Sequence, residues 1–277
     1  MSSRRLRGIT SRKEHDWCMT ASWWLKFERA QQHRREAESM IAGVLTNPTP
    51  TISVSKSFSN GRWEFSMHHD AEIPEMLPVV IGDYLFGLRS ALDHIVSKNM
   101  IRRTNKTPFP IYHQDFLTTL PAEPPPFASY RKNWKALKAQ LPPGVFAVVE
   151  LAQPFIICKA TGTDPLDAGL TILNDVQNSD KHNELLGVFG GIAVDLGTVV
   201  YLNGERVTIQ DAPQGGAFIN GSRFVDSEVD AEVELFGEVR LMLKSTSSTR
   251  HRPLPESLDD LSVEVEAVLQ TIERNMP

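Results

Sequence analysis

Cysteine is scarce in this 277-residue chain, which has only Cys18 and Cys158. They lie far apart in dissimilar surroundings and give neither metal-ligand spacing nor a disulfide framework. A reducing cytoplasm is the compartment such usage fits. No apolar run approaches the roughly 18 residues that a membrane-crossing helix needs, so no membrane partner is expected. Neither G-x-G-x-x-G nor G-K-S/T occurs, which removes the phosphate-cradling loops of nucleotide folds. Internal repeats and sustained low-complexity tracts are missing too, and no motif calls for a cofactor.

An excess of positive charge is also lacking. The net charge is −5, which argues against coating nucleic acid by bulk charge. The charge is unevenly spread: Arg4, Arg5, Arg7, Arg12 and Lys13 crowd the first residues, and Asp226 to Glu273 is mostly acidic. Residues 1–18 read as a flexible basic tail, with Met19 as an alternative start. No apolar segment of the secretory kind follows it.

What is present is ordinary for a globular chain, 41% apolar and 23% charged. A chain of this length can bury a core without a staple. Helical spacing of Trp24, Phe27, Ala30, Gln31 and Arg34 predicts a helix over 20–43, stopped by Asn47-Pro48-Thr49-Pro50. Two strand-like runs, Thr51–Phe58 and Trp63–His69, flank Ser59-Asn60-Gly61, a hairpin turn signal. Leu77, Ile81, Leu85, Leu88, Leu92 and Ile95 predict a helix over 77–98. Shorter helices are expected over 128–140 and 143–151. Asp164-Pro165 opens another, over about 165–186.

Beyond Gly187 the texture turns β-branched and alternating: Val188–Val194, Thr198–Leu202, Arg206–Gln210 and Glu228–Lys244, with Asn203-Gly204 and Gly215-Gly216 as turns. An amphipathic helix over 256–275 ends the chain. The expected fold is therefore α+β, a helical core with an early β-hairpin and a C-terminal antiparallel sheet. In domain terms, residues 19–186 form a mainly helical domain with the hairpin at 51–69. Residues 187–277 form an antiparallel β segment with a C-terminal helix, packed on the same core.

The unusual chemistry sits in two helical segments, Leu88–His94 and Asn174–His182. At about 100° per residue, Arg89 lies roughly 40° from Leu85 on the apolar border of its helix. Asp93 follows at i+4, in pairing distance. His94 points about 140° away from Arg89. On the second helix, Asp180 falls within about 20° of the apolar centre, a costly place for an unpaired carboxylate. Asn174, Asp175, Asn178, Lys181 and His182 surround it.

Three accounts stay open. Arg89 and Asp180 pair between helices as a structural clasp, with Asp93, Asn174 and Lys181 nearby. Alternatively, Arg89, His94 and His182 form a phosphodiester-cleaving site, with histidine as acid or base and arginine on the developing charge. Or His94, His182 and a carboxylate bind a divalent metal, although no H-x-x-x-H or H-x-x-E spacing holds them together. His68 and His69 are neighbours on a strand and point to opposite faces, so they do not chelate jointly.

Arg89-Ser90-Ala91-Leu92-Asp93-His94 resembles the R-x4-H motif of the HEPN superfamily of small helical bundles. The residue after the arginine is Ser90, where the commoner form has Asn, Asp or His. The resemblance implies a metal-independent endoribonuclease in a defence or toxin-type role. It also implies RNA as partner and a homodimer that shares Arg89 and His94 in one site.

A longer resemblance spans most of residues 20–190. Gly82-Asp83 with Leu88–His94, Pro108-Phe109-Pro110-Ile111, Glu150–Phe155, and Asn174-Asp175 with Asp180-Lys181-His182 are similar to a widespread family of uncharacterised bacterial and phage-associated proteins. That family implies a layout and no reaction. Set against the nuclease is a non-catalytic binding or interaction protein in which the same residues lock the fold.

Overall fold

Small residues on facing helices let the two longest helices approach closely. The structure, a computed structural model, describes residues 21–46, 48–102, 108–117, 127–181, 188–193, 199–207, 217–236, 238–243 and 252–277. The basic segment 1–18 and Met19 lie outside the described residues. Helix α1 spans Ser22–Thr46 and α2 spans Met76–Asn99. Ala30, Ala37 and Ala91 are fully buried along their seam. A Cβ on Gly87 would stand 2.8 Å from the Ala30 Cβ. Ser22 meets His94, Lys26 meets Ser90 and Ala30 meets Gly87, so the pair runs antiparallel. The stripe Leu77, Ile81, Leu85, Leu88, Leu92 and Ile95 is buried as its spacing demands.

Strands β1 (Ile52–Ser59) and β2 (Arg62–His69) form the hairpin, with Ser59 opposite Arg62. Asn60 and Gly61 both take positive φ, 54° and 79°, the mirror-image turn that suits the strand twist. His68 accepts or donates at Ser55 Oγ (2.7 Å), and His69 Nδ1 accepts from the Ala71 N–H.

Helices α3 (Phe127–Lys138), α4 (Pro143–Leu151) and α5 (Pro154–Thr161) follow. α5 is not anticipated by the sequence reading. Pro154 at its first turn starts it, and it is too short to show a periodic stripe. Among the described residues no single helix is long and apolar enough to cross a membrane; α4 and α5 are apolar together but bend by 59° between them.

The single helix expected over 165–186 is instead two pieces. Asp164 caps a 3-10 turn, Pro165–Asp167, its Oδ1 accepting from the Leu166 N–H at 2.9 Å. Ala168 is extended, and α6 runs from Gly169 to Lys181. The reason is a tertiary cap. The Glu264 carboxylate, from the last helix, lies against the first turn of α6: a Cβ on Gly169 would collide with its Oε2, and the Gly169 and Leu170 amides hold its pKa down against burial. It faces donors that a helix begun at Asp164 would have used internally. Leu166 thus belongs to the turn and not to the face of α6.

The remaining strands are β3 (Val188–Ala193), β4 (Val199–Leu202), β5 (Glu205–Val207), β6 (Ala217–Ile219), β7 (Arg223–Ser227), β8 (Val233–Phe236), β9 (Glu238–Leu243) and β10 (Arg252–Pro253). Helix α7, Glu256–Arg274, closes the described chain. All described pairings are antiparallel, in agreement with the α+β expectation. They form three sheets, β1-β2-β7, β10-β9-β3-β6 and β5-β4-β8, where the hairpin and one C-terminal sheet were expected: β7 joins the hairpin, and the other strands divide between two sheets. Asn203-Gly204 makes the β4–β5 turn with positive φ at both residues. The expected Gly215-Gly216 turn lies outside the described residues.

A large core joins α1, α2, α4, α6 and α7 with Leu241 and Leu243 of β9. Tyr84 of α2 ties it to α7, donating to the Leu258 carbonyl and sharing a 2.8 Å hydrogen bond with Ser262. Burial drives the Tyr84 phenol far above its ordinary range. A smaller cluster, Phe65, Met67, Phe224 and Ala231, lies on the hairpin sheet.

Two measurements check this packing. Gly87→Leu forces the α1–α2 seam apart and should cost about 1–3 kcal/mol in urea unfolding. Gly82→Ala, where a Cβ meets nothing within 4 Å, should stabilise by about 0.5–1 kcal/mol. The Glu264 carboxyl is raised from its ordinary value, first by burial, with the α6 amides opposing. A raised folded pKa means stability is full below the unfolded value and declines as pH rises through the folded one. Glu264→Gln should therefore gain in melting temperature relative to the parent as pH is raised from about 4 to about 7. A pH-independent difference would refute this role.

Candidate functional site

Arginine at position 89 is placed by α2 on the border of its apolar stripe, and what it meets there is a loop. Its Nη2 donates to the Phe109 carbonyl at 2.6 Å, and its Nε lies 3.2 Å from Asp93 Oδ1. The same Asp93 Oδ1 accepts from the Phe109 N–H at 2.8 Å. One guanidinium and one carboxylate, spaced i,i+4, thus satisfy both backbone groups of a buried phenylalanine. The Arg89 side chain is 12% exposed and that of Asp93 37%. Burial pulls the guanidinium below its ordinary value, while Asp93 pulls the other way. Arg89 Nη1 is buried with no hydrogen-bond partner.

The same loop is also held by Gln153, which is fully buried at the start of α5. Its Nε2 donates to the Pro110 carbonyl (3.0 Å) and the Val149 carbonyl (2.8 Å), and its Oε1 accepts from the Tyr112 N–H (3.0 Å). Segments 88–94, 108–112 and 149–154 therefore assemble into one polar clamp. Gln153 lies within Glu150–Phe155, and the sequence alone assigns it no role. Its signal was a glutamine amid apolar residues directly before a proline.

His94 lies elsewhere, on the α1 side of α2. Its Nε2 is 3.0 Å from Ser22 Oγ, and Lys26 Nζ donates to Ser90 Oγ at 2.8 Å. Partial burial, then Lys26 and Lys98, lower its imidazole from the ordinary value, so the ring is neutral near pH 7. Arg89 and His94 are not brought together within one chain, in line with their wheel angle of about 140°.

On α6, Asn174 is half-buried. Asp175 Oδ2 is buried without a partner. Burial raises that carboxyl, and His113 opposes the rise. Gln177, unremarked in the sequence, donates to the Leu85 carbonyl at 3.3 Å and links α6 to α2. The side chains of Asp180 and Lys181, and His182 entirely, lie outside the described residues, so the Arg89–Asp180 pairing does as well. Among the described residues no three His, Cys, Asp or Glu side chains cluster as a metal site. No family model, curated protein or solved structure matches this chain.

Removing Asp93 leaves the Arg89 charge and the Phe109 N–H without their partner. Asp93→Ala should cost about 3 kcal/mol, the low end for a broken buried pair because Asp93 is partly exposed. Arg89→Lys should also destabilise, since an ammonium cannot replace the planar fork. Urea midpoints that move by less than the error for both variants would reject the clamp.

Proposed function

We propose that this chain is a non-catalytic binding protein, in which the arginine of its R-x4-H motif locks the fold. One observation carries this reading: the Arg89 guanidinium is committed to Asp93 and to the Phe109 carbonyl. An arginine that must stabilise a phosphorane-like state needs free N–H donors facing the phosphate. Here Nε serves the Asp93 carboxylate and Nη2 serves the Phe109 carbonyl of a neighbouring loop. The test is incubation of the purified protein with single-stranded RNA, with and without a chelator. The expected result is intact RNA in both. Cleavage that is lost in His94→Ala, while that variant melts like the parent, would overturn the reading.

A second reading, HEPN-like endoribonuclease activity in a homodimer, draws on one feature of His94. A neutral, partly exposed imidazole beside Lys26 and Lys98 suits a general base close to an anionic substrate. This reading requires a partner chain to bring an arginine to His94. Light scattering that gives a monomer at working concentration removes it.

A further inference from the structure

We propose that the cavity between the C-terminal end of α2, the 108–112 loop and α3 holds a nucleobase, with the attached phosphate outside on Lys132 and Arg102. The cavity measures about 270 Å³, and its lining includes Tyr112, Asn133, Trp134, Ala136 and Gln140. That is just below the ~300–1,000 Å³ of drug-sized ligand sites, so a single ring system is the scale that fits.

The lining selects the chemistry. It contains no Asp, Glu, Lys, Arg or His. Burial raises the Tyr112 phenol above its ordinary value, which keeps it protonated. A charged occupant would therefore be desolvated without compensation, and a neutral one is required. Gln140 Oε1 is buried and has no hydrogen-bond partner. An orphaned acceptor of this kind is costly, and a ligand N–H donor would satisfy it. The Asn133 and Gln140 amides each offer a donor and an acceptor, the pairing that a heterocycle edge presents. Tyr112 and Trp134, held edge-to-face at 6.1 Å, supply flat apolar surface for a ring.

Charge lies on positions adjoining the lining. α3 carries Arg131, Lys132, Lys135 and Lys138 and no acidic residue. On the helix wheel Lys132 falls about 40° from Ala136 of the lining, and it is exposed. Arg102, also exposed, follows Ile101, whose N–H donates to the Gln140 carbonyl at 2.8 Å. A neutral aromatic slot bordered by cations fits a base with its phosphate, whether as a free nucleotide or as one unit of a single strand.

This inference rests on the non-catalytic binding reading. The experiment is calorimetric titration of the full chain with the four ribonucleoside monophosphates, the matching nucleosides, inorganic phosphate and a short single-stranded RNA. Saturable binding of at least one monophosphate or of the RNA is expected, with phosphate alone binding far more weakly. Preference for the RNA assigns the site to a single strand, and equal affinity assigns it to a free nucleotide. Gln140→Leu should weaken binding tenfold or more without lowering the melting temperature. Ala136→Trp, which fills the cavity from an exposed position, should do the same. Lys132→Ala should weaken the monophosphate and spare the nucleoside. No saturation by any of these ligands, or affinity unchanged in both Gln140→Leu and Ala136→Trp, overturns the proposal. RNA recovered as fragments would instead sink the non-catalytic reading, whereas intact RNA with nothing bound sinks the cavity assignment alone.

Discussion

The hydrogen bonds that Arg89 and Asp93 make to Phe109 are the constraint on which the helical half depends. Phe109 is fully buried, as are Phe116 and the α2 stripe it joins. A loop can enter a core only if its peptide groups find partners there. Arg89, Asp93 and Gln153 provide them for residues 109, 110 and 112. With the loop anchored, Tyr112 and Phe116 reach the aromatic cluster of Tyr130 and Trp134, and α3 is seated on α2 through it. The position of the cavity therefore follows from the clamp.

Periodicity made the long elements legible. α2 and α7 each carry an apolar stripe several turns long, and tertiary contacts leave their ends within a residue or two of the expected bounds. Asn-Gly pairs located both two-residue turns, because few other residues accept positive φ at two successive positions. The break before α6 was hidden for a physical reason. Its cause is a carboxylate almost a hundred positions later, and no local pattern at Asp164-Pro165 records that. The strands β6 and β7 were missed because they are short and their alternation is brief.

The site was partly legible. A helical wheel alone separated Arg89 from His94 and paired Arg89 with Asp93, and the structure has both features. The wheel could not name the third partner. A backbone carbonyl at Phe109 carries no side-chain signature, so the arginine looked available for a carboxylate on another helix. The same blindness applies to Gln177 and Gln153, whose partners are main-chain groups.

The hairpin sheet has a consequence for how the chain matures on the ribosome. β7 completes that sheet by pairing with β2, and Glu64 meets Arg223 across it, 159 positions apart in sequence. The hairpin can close as soon as it emerges, since its contacts are local. Its second edge stays open until β7, more than 150 positions further on, has been translated. In that interval β2 presents unpaired N–H and C=O groups and the apolar Phe65 and Met67, which is the condition under which strands pair with the wrong neighbour. The alternating serines and lysine of β1, Ser53, Ser55, Lys56 and Ser57, keep the other edge of the nascent sheet polar during that wait.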